Sequence, residues 1–158
     1  MGKTFSNNAT VIIVVFTMAF LAISCREPCP FKPRSLAGID FHTVINGTDQ
    51  HSPVDSLTVR GLGREDSLLY AAVNNVSTIT LPINGSAVES GFIVDFDRGT
   101  DTVWFSYDVK PWFLSPECGF ILNFELLETR HSVNVIDSVV IVNREITSFD
   151  ETNIRIYN

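Results

Sequence analysis

The sequence predicts an all-β protein, most simply an antiparallel β-sandwich, immunoglobulin-like or similar, with about eight or nine strands. Two observations support this fold class. Apolar and polar residues alternate with a two-residue period from Leu36 onward, and the alternating runs recur about every 8–15 residues. The same region contains no convincing amphipathic helix pattern. A closed lipocalin-like barrel is the alternative.

Short strands separated by turn signals account for the first half of this region. In order, they are predicted in "GIDFHTV", "SLTVRG" and "STITLPI", while "SLLYAAV" is either a strand or a short helix. The polar segment "INGTDQHSPVD", residues 45–55, predicts a connection, and Asn84-Gly85 predicts a turn after "STITLPI".

The clearest pattern is a hairpin over Ser90–Val109, with one aromatic-rich buried face. Its predicted buried residues are Phe92, Val94, Phe96, Val103, Phe105, Tyr107 and Val109, and "DRGTD" predicts the turn. The next run repeats the alternation at Phe120, Leu122, Phe124 and Leu126. Two strands follow: "SVVIV", a β-branched run typical of a central strand covered on both faces, and a last short one in "NIRIY".

The N-terminus resembles the signal peptide of a bacterial lipoprotein. Val11–Ile23 is apolar at all but one position; as a helix it would be about 20 Å long, shorter than the roughly 30 Å of bilayer hydrocarbon. A serine and then Cys25 follow, as in the lipobox, although Ala22 stands where leucine is usual. The resemblance implies cleavage before Cys25 and acylation of its thiol, with palmitate as a typical chain. An ordinary cleaved signal peptide and an uncleaved anchor are the alternatives.

The predicted organisation is therefore a lipoprotein signal peptide (residues 1–24), a lipidated tether (25–35) and a single β domain (36–158). The whole chain has 18 acidic and 11 basic side chains and a net charge of −7. Processing would remove one base, Lys3, and no acid. Such an acidic domain repels phosphate backbones, so no nucleic-acid partner is expected. Anionic lipid surfaces are also poor partners, so the membrane is expected to be reached through the N-terminal lipid.

The two cysteines that lipid does not use predict a disulfide. An exported compartment permits a bond between Cys29 and Cys118, which would close a loop of about 90 residues and contribute about 4–5 kcal/mol on the chain-entropy model. Two buried free thiols are the alternative.

No constellation of acid, base and nucleophile is visible, so we predict no catalytic residues, no enzyme and no cofactor. Asp95, Asp97 and Asp101 in "DFDRGTD" offer oxygen ligands for Ca²⁺. The loop lacks the closing glutamate of an EF-hand, however, so a solvated hairpin tip is the preferred interpretation and no metal site is predicted.

Histidine gives no metal signal either. Glu128 and His131 have the spacing of helical di-iron sites, but they lie between strand patterns, where side chains three apart do not face one site. His42 and His51 lack neighbouring ligands at metal spacing, so surface or structural roles are expected.

Aromatic residues suggest two further hypotheses. Trp104 and Trp112, with Tyr107 nearby, would form a stacking platform for sugars, although packing at the core or rim is preferred. An apolar ligand held among phenylalanines is the second hypothesis; the residues are Phe92, Phe96, Phe105 and Phe124.

Several segments together resemble a family of uncharacterised, domain-of-unknown-function lipoproteins of Bacteroidota. They are "SLTVRGLGREDSLLY", "ITLPINGS", "FIVDFD", "SPECGFILNFEL", "IDSVVIVN" and "NIRIY". The most specific piece is "SPECG", residues 115–119, which comes with the early cysteine Cys29. The resemblance implies an exported, lipid-anchored β domain with no established activity and no catalytic residues to carry over.

That lineage also O-glycosylates exported proteins at Asp-Ser/Thr followed by an apolar residue. Four tripeptides match, beginning at residues 55, 66, 101 and 137. The candidate acceptors are Ser56, Ser67 and Thr102, because the fourth leads into a predicted buried strand. In that lineage, lipoproteins are displayed on the cell surface when acidic residues cluster just after the lipidated cysteine. Here Arg26-Glu27-Pro28 contains a single acidic residue. The periplasmic face of the outer membrane is therefore expected, with the cell surface as the alternative.

The sequence thus predicts a lipid-anchored envelope protein whose β-sandwich is a non-enzymatic interaction module, offering an edge or loop surface to an envelope protein. A periplasmic carrier of an apolar small molecule or lipid is the alternative. A packed interior would favour the module, and a continuous apolar cavity of several hundred Å³ would favour the carrier.

Overall fold

The computed structural model describes residues 34–64, 66–149 and 151–158. These residues form eleven β-strands. In chain order they are β1 (Leu36–Ile45), β2 (Thr48–His51), β3 (Leu57–Gly61), β4 (Leu68–Val73), β5 (Thr78–Pro82), β6 (Glu89–Phe96), β7 (Gly99–Ser115), β8 (Gly119–His131), β9 (Ser138–Ile141), β10 (Glu145–Ile146) and β11 (Thr152–Tyr157). Within the described ranges, no helix has the length and apolar character needed to span a membrane.

The strands form two sheets that pack on each other as a sandwich. The five-stranded sheet has the order β2–β1–β11–β9, with β5 also paired to β1, and the six-stranded sheet has the order β10–β8–β7–β6–β3–β4. The predicted all-β sandwich is therefore confirmed, and the strands do not join into one closed lipocalin-like barrel. The expected strand number is too low because β2 and β10, with four and two residues, are too short to reveal a two-residue period.

One strand pair departs from the predicted antiparallel arrangement. β1 and β11 run parallel, with Ile39 opposite Ile154 and Phe41 opposite Ile156. The C-terminal strand thus lies between β1 and β9, in the central position predicted for "SVVIV". Of the described strands, β9 pairs with β11 alone, and its Val140 is exposed. The prediction for β9 is wrong because β-branched composition does not reveal which strand of a sheet is the inner one.

The segment 45–55 also differs from its predicted role as a connection. β1 continues to Ile45, and Asn46 and Gly47 form a turn with φ angles of 53° and 77°. β2 then pairs antiparallel with the second half of β1. Two central residues with positive φ are typical of the tight turns that join hairpin strands. The ambiguous run "SLLYAAV" contains strand β4, which lies at one edge of the six-stranded sheet.

The core lies between the sheets and follows the predicted alternation in the β6–β7 hairpin. Its buried residues there are Phe92, Val94, Phe96, Val103, Phe105 and Tyr107, and Val109 is half-buried. The facing residues from the other sheet include Ile39, Phe41, Ile79, Leu81, Ile154 and Ile156. Phe41 and Phe96 meet across the sheets with ring centroids 6.1 Å apart and near-perpendicular planes. Each such buried side chain contributes about 1.5–3 kcal/mol.

β7 and β8 extend beyond this core. β6 pairs with β7 only up to Ser106, and β10 pairs with β8 only at Phe124 and Glu125. Among the described residues, the rest of the β7–β8 hairpin is a two-stranded ribbon. Phe124 and Leu126 are buried as predicted, but Phe120 and Leu122 are exposed. That part of the prediction is wrong because alternation reports which residues share a face and not whether another sheet covers it.

Candidate functional site

The residues predicted to be processed lie mostly outside the described part of the chain. Cys25 and Cys29 precede residue 34, so acylation and the Cys29–Cys118 bridge stay predictions. Cys118 is described and lies in the turn that joins β7 to β8.

The three candidate glycosylation sites differ in exposure. Ser56 and Ser67 are exposed in the segments that precede β3 and β4, whereas Thr102 is half-buried within β7. The backbone N–H of Thr102 donates to Oγ of Ser132 at 2.9 Å. Accessibility therefore favours the two serines, and the modification itself stays a prediction.

The three aspartates of "DFDRGTD" do not converge on one point. Asp95 accepts a hydrogen bond from Thr100 Oγ1 at 2.6 Å and pairs with Arg60 at 3.1 Å. Asp97 is exposed at the hairpin turn, and Asp101 is buried on the opposite face of the sheet. The three carboxylates therefore do not lie together, and only Asp97 is exposed to solvent. Glu128 and His131 lie on strand β8, where residues three apart face opposite sides.

The aromatic residues considered for ligand binding are also separated. Trp104 is half-buried, with the Arg130 guanidinium 5.5 Å from its ring centroid. Tyr107 lies on the buried face and donates its hydroxyl proton to the carbonyl of Asn84 at 2.8 Å. Trp112 is exposed at the far end of β7. These three side chains form no common stacking platform.

The phenylalanines of the carrier hypothesis lie in the core. Phe92 and Phe105 have ring centroids 5.8 Å apart, and Phe124 packs edge-on against Tyr107 at 5.4 Å. A surface cleft of about 360 Å³ lies beside β3 and β6, and Phe92 is the one of the four phenylalanines that lines it.

Five exposed large apolar side chains lie at the end of the β7–β8 ribbon, where Ile121 is buried. We call these five the aromatic end: Trp112, Phe113, Leu114, Phe120 and Leu122. Trp112 and Phe120 are 61% and 63% exposed. Phe113 and Phe120 are cross-strand partners, with ring centroids 5.2 Å apart. Because successive strand residues point to opposite faces, the aromatic end presents apolar surface on both faces of the ribbon.

A row of charged side chains marks the base of the aromatic end. Lys110 lies 3.1 Å from Glu125 and 3.7 Å from Asp108. The hydrogen bond to Glu125 raises the pKa of Lys110, so its ammonium group stays charged. The ribbon therefore passes from apolar to charged where it joins the sandwich.

The described chain begins beside this base. Oγ of Ser35 donates a hydrogen bond to Oδ1 of Asn123 at 2.9 Å, and Asn123 is the cross-strand partner of Lys110. Ser35 is buried. The first described residues of the chain therefore enter the β domain at the base of the aromatic end.

Comparison with known proteins identifies a family for most of the β domain. The model of a family of unknown function, DUF6452, matches residues 56–158. The chain belongs to the DUF6452 family. No curated protein and no solved structure matches it significantly. The DUF6452 range includes the whole β7–β8 hairpin and leaves β1 and β2 outside it.

In this DUF6452 protein, β1 and β2 bring together polar residues that the sequence analysis treated separately. His42 is the cross-strand partner of His51, and their ring centroids are 4.4 Å apart. Asp40 precedes His42 by two residues on the same face of β1. We call Asp40, His42 and His51 the histidine cluster. Nδ1 of His42 lies 2.6 Å from Oδ1 of Asp49, and this hydrogen bond is the main reason that the pKa of Asp49 is lowered.

Proposed function

We propose that this DUF6452 protein is a lipid-anchored envelope protein of the Bacteroidota lipoprotein type, with a non-enzymatic β-sandwich as its interaction module. The surface that interacts is the aromatic end, and its partner is the membrane interface, where headgroups meet acyl chains. One observation carries the proposal: the chain enters the β domain, through Ser35, at the base of the aromatic end.

The predicted tether has a suitable length. From Cys25 to Ser35 the chain spans at most about 35 Å when fully extended, and prolines at positions 30 and 33 favour an extended form. The ribbon from Lys110 to Ser115 is about 17 Å long. An acyl chain on Cys25 therefore reaches the bilayer while the aromatic end lies between the bilayer and the sandwich.

The chemistry of the aromatic end suits this position. Aromatic side chains, tryptophan above all, are favoured at the boundary between water and hydrocarbon. The charged row at Asp108, Lys110 and Glu125 would then remain among the headgroups. Apolar contact between the protein and the bilayer would add to the affinity that the lipid on Cys25 supplies. Because the protein is acidic, anionic lipids do not attract it. Its affinity for the membrane would therefore come from apolar contact.

Two arrangements support a module over a carrier or an enzyme. The phenylalanines of the carrier hypothesis pack against other rings of the core. The three aspartates considered as metal ligands, Asp95, Asp97 and Asp101, do not point toward a common site. For location we propose the outer membrane, on its periplasmic face, because a single acidic residue, Glu27, lies in the three positions after Cys25.

Tryptophan fluorescence of the acylated protein in phosphatidylcholine vesicles tests the membrane contact. The chain has two tryptophans, so Trp104→Phe leaves Trp112 as the single reporter. We expect its emission to shift to shorter wavelength on reconstitution and to be quenched by brominated acyl chains. The matched control is Trp112→Phe, in which Trp104 stays beneath Arg130 and its emission is expected to remain constant.

The outcomes separate the parts of the proposal. If iodide quenches Trp112 equally with and without vesicles, the membrane assignment is wrong. Shielding of Trp112 only in native membranes, and not in pure lipid, would identify an envelope protein as the partner instead. Mass spectrometry that finds no acyl group on an N-terminal Cys25 would overturn the anchor itself.

A further inference from the structure

His42 is a buried imidazole with one nitrogen that the protein does not use. The residue is 5% exposed although it lies on the face of β1 that points away from the core. Nδ1 contacts Asp49, whereas Nε2 is buried and has no hydrogen-bond partner among the described residues. Because buried polar atoms are nearly always paired, the free Nε2 indicates a position for a ligand.

The contacts of Asp49 determine which nitrogen of His42 carries the proton. Asp49 also accepts hydrogen bonds from Nη1 of Arg155 at 3.2 Å and from the hydroxyl of Tyr157 at 3.3 Å. An ionised carboxylate has no proton to donate, so Nδ1 of His42 must donate to it. In the neutral imidazole, Nε2 then presents its lone pair, which is the form of histidine that binds a metal ion, with a carboxylate behind the imidazole.

Two further candidate ligands lie next to the ring of His42. His51 is exposed on the edge strand β2, and Asp40 is mostly buried, with its oxygens accepting hydrogen bonds from Thr78 and Thr152. One ligand atom from each member of the histidine cluster lies within 4.8 Å of the other two. Ligand atoms around a tetrahedral Zn²⁺ lie about 3.4 Å apart. The ligand atoms would therefore have to approach one another by at most about 1.4 Å, and the exposed ring of His51 is free to move toward the other two.

We propose that Asp40, His42 and His51 bind one divalent transition-metal ion, with the fourth position open to water. Two imidazoles and one carboxylate suit Zn²⁺ and neighbouring first-row metals better than Ca²⁺ or Mg²⁺, which prefer ligand sets made of oxygen. The ion would join β1 to β2 across their hairpin. The site lies outside the DUF6452 range and does not depend on the membrane proposal.

Zinc titration of the full mature protein, made without a histidine tag and treated with a chelator, tests the site. We expect one Zn²⁺ per chain, and a Co²⁺ adduct with the visible absorption bands of a four-coordinate ion. His51→Ala is the decisive variant because its exposed side chain makes it the least harmful to folding. It should weaken Zn²⁺ binding at least about 10-fold and abolish the Zn²⁺-dependent rise in melting temperature. Asp40→Asn should weaken binding without changing side-chain shape.

The third histidine of the chain provides the matched control. His131→Ala, on β8, should bind Zn²⁺ as the unmodified protein does. A protein that binds no Zn²⁺ at millimolar concentration overturns the proposal. The proposal is also wrong if the folded His51→Ala variant binds Zn²⁺ as tightly as the unmodified protein. It is wrong as well if His131→Ala weakens Zn²⁺ binding as much as His51→Ala does.

Discussion

Replacing Asp101 with Asn is expected to destabilise the protein strongly, because this carboxylate holds the segment that follows β8. The residue is 1% exposed. Its Oδ1 accepts hydrogen bonds from Oγ of Ser132 at 2.5 Å and from the N–H of Asn134 at 3.0 Å. Its Oδ2 accepts from the N–H groups of Val135 at 2.7 Å and Ile136 at 2.8 Å. Four donors therefore depend on one ionised side chain.

The size of the effect follows from these bonds. Asn keeps the shape of Asp101 but turns one oxygen into an NH₂ group that faces donors. Either the N–H of Asn134 loses its shorter bond, or the N–H groups of Val135 and Ile136 lose theirs. The remaining hydrogen bonds to this side chain are weaker, because their acceptor no longer carries a negative charge. At about 1.5–3 kcal/mol for a hydrogen bond to a charged group, the expected loss of unfolding free energy at pH 7 is about 2–4 kcal/mol.

The effect should also depend on pH. Burial alone would raise the pKa of Asp101, but the hydrogen bonds from Ser132 and from the N–H groups of Ile136, Val135 and Asn134 together lower it. The stability that ionised Asp101 contributes is therefore complete above the ordinary value of about 3.9. It is lost as pH falls through the lower pKa of the folded state. The difference between the unmodified protein and Asp101→Asn should shrink below about pH 4.

Urea denaturation of the protein in detergent micelles, followed by tryptophan fluorescence at pH 7 and pH 3, measures both effects. Asp97→Asn is the matched control, because that side chain is exposed and lies 3.8 Å from an equally exposed Arg98. It should change stability by no more than about 0.5 kcal/mol. Equal stability of the two variants at pH 7 would refute the role assigned to Asp101.

Two further predictions concern the backbone and the cysteines. Gly38→Ala should cost about 1–3 kcal/mol or more, because its Cβ would lie 2.1 Å from the backbone oxygen of Glu151, just before β11. Gly61→Ala, with its nearest contact at 3.8 Å, should be tolerated in the same denaturation assay. Equal losses in the two variants would contradict this. Mass spectrometry after alkylation should find Cys29 and Cys118 unreactive until the protein is reduced. Cys118→Ser should lower the free energy of unfolding by about 2–5 kcal/mol. Alkylation of both thiols without reduction would exclude the bridge.

Alternation predicted the fold class and the β6–β7 hairpin because those residues lie between two sheets, where the buried face is continuous. It could not predict the order of strands within a sheet. β11 pairs with β1, at the other end of the domain, and this pairing depends on contacts that no local window contains. The same limit explains Phe120 and Leu122, which continue the pattern of β8 after the covering sheet has ended.

The histidine cluster, in contrast, had a signal in the sequence. Asn46-Gly47 lies midway between His42 and His51, and a two-residue Asn-Gly turn places residues at equal distances on either side opposite each other. Reading "INGTDQHSPVD" as a loop concealed this relation. The buried state of His42 had no such signal, because it depends on how the neighbouring strands cover it.

Strand β1 also relates the two proposed sites to each other. It begins beside Asn123, at the base of the aromatic end, and His42 follows Ser35 by seven residues, or about 23 Å of extended strand. With the aromatic end at the membrane, the histidine cluster therefore lies well above the bilayer, where dissolved metal ions have access to it. The two sites occupy different sheets, so His51→Ala should leave the Trp112 emission shift intact, and Trp112→Phe should leave Zn²⁺ affinity unchanged. Either variant impairing both properties, while its unfolding midpoint stays unchanged, would contradict the independence of the two sites.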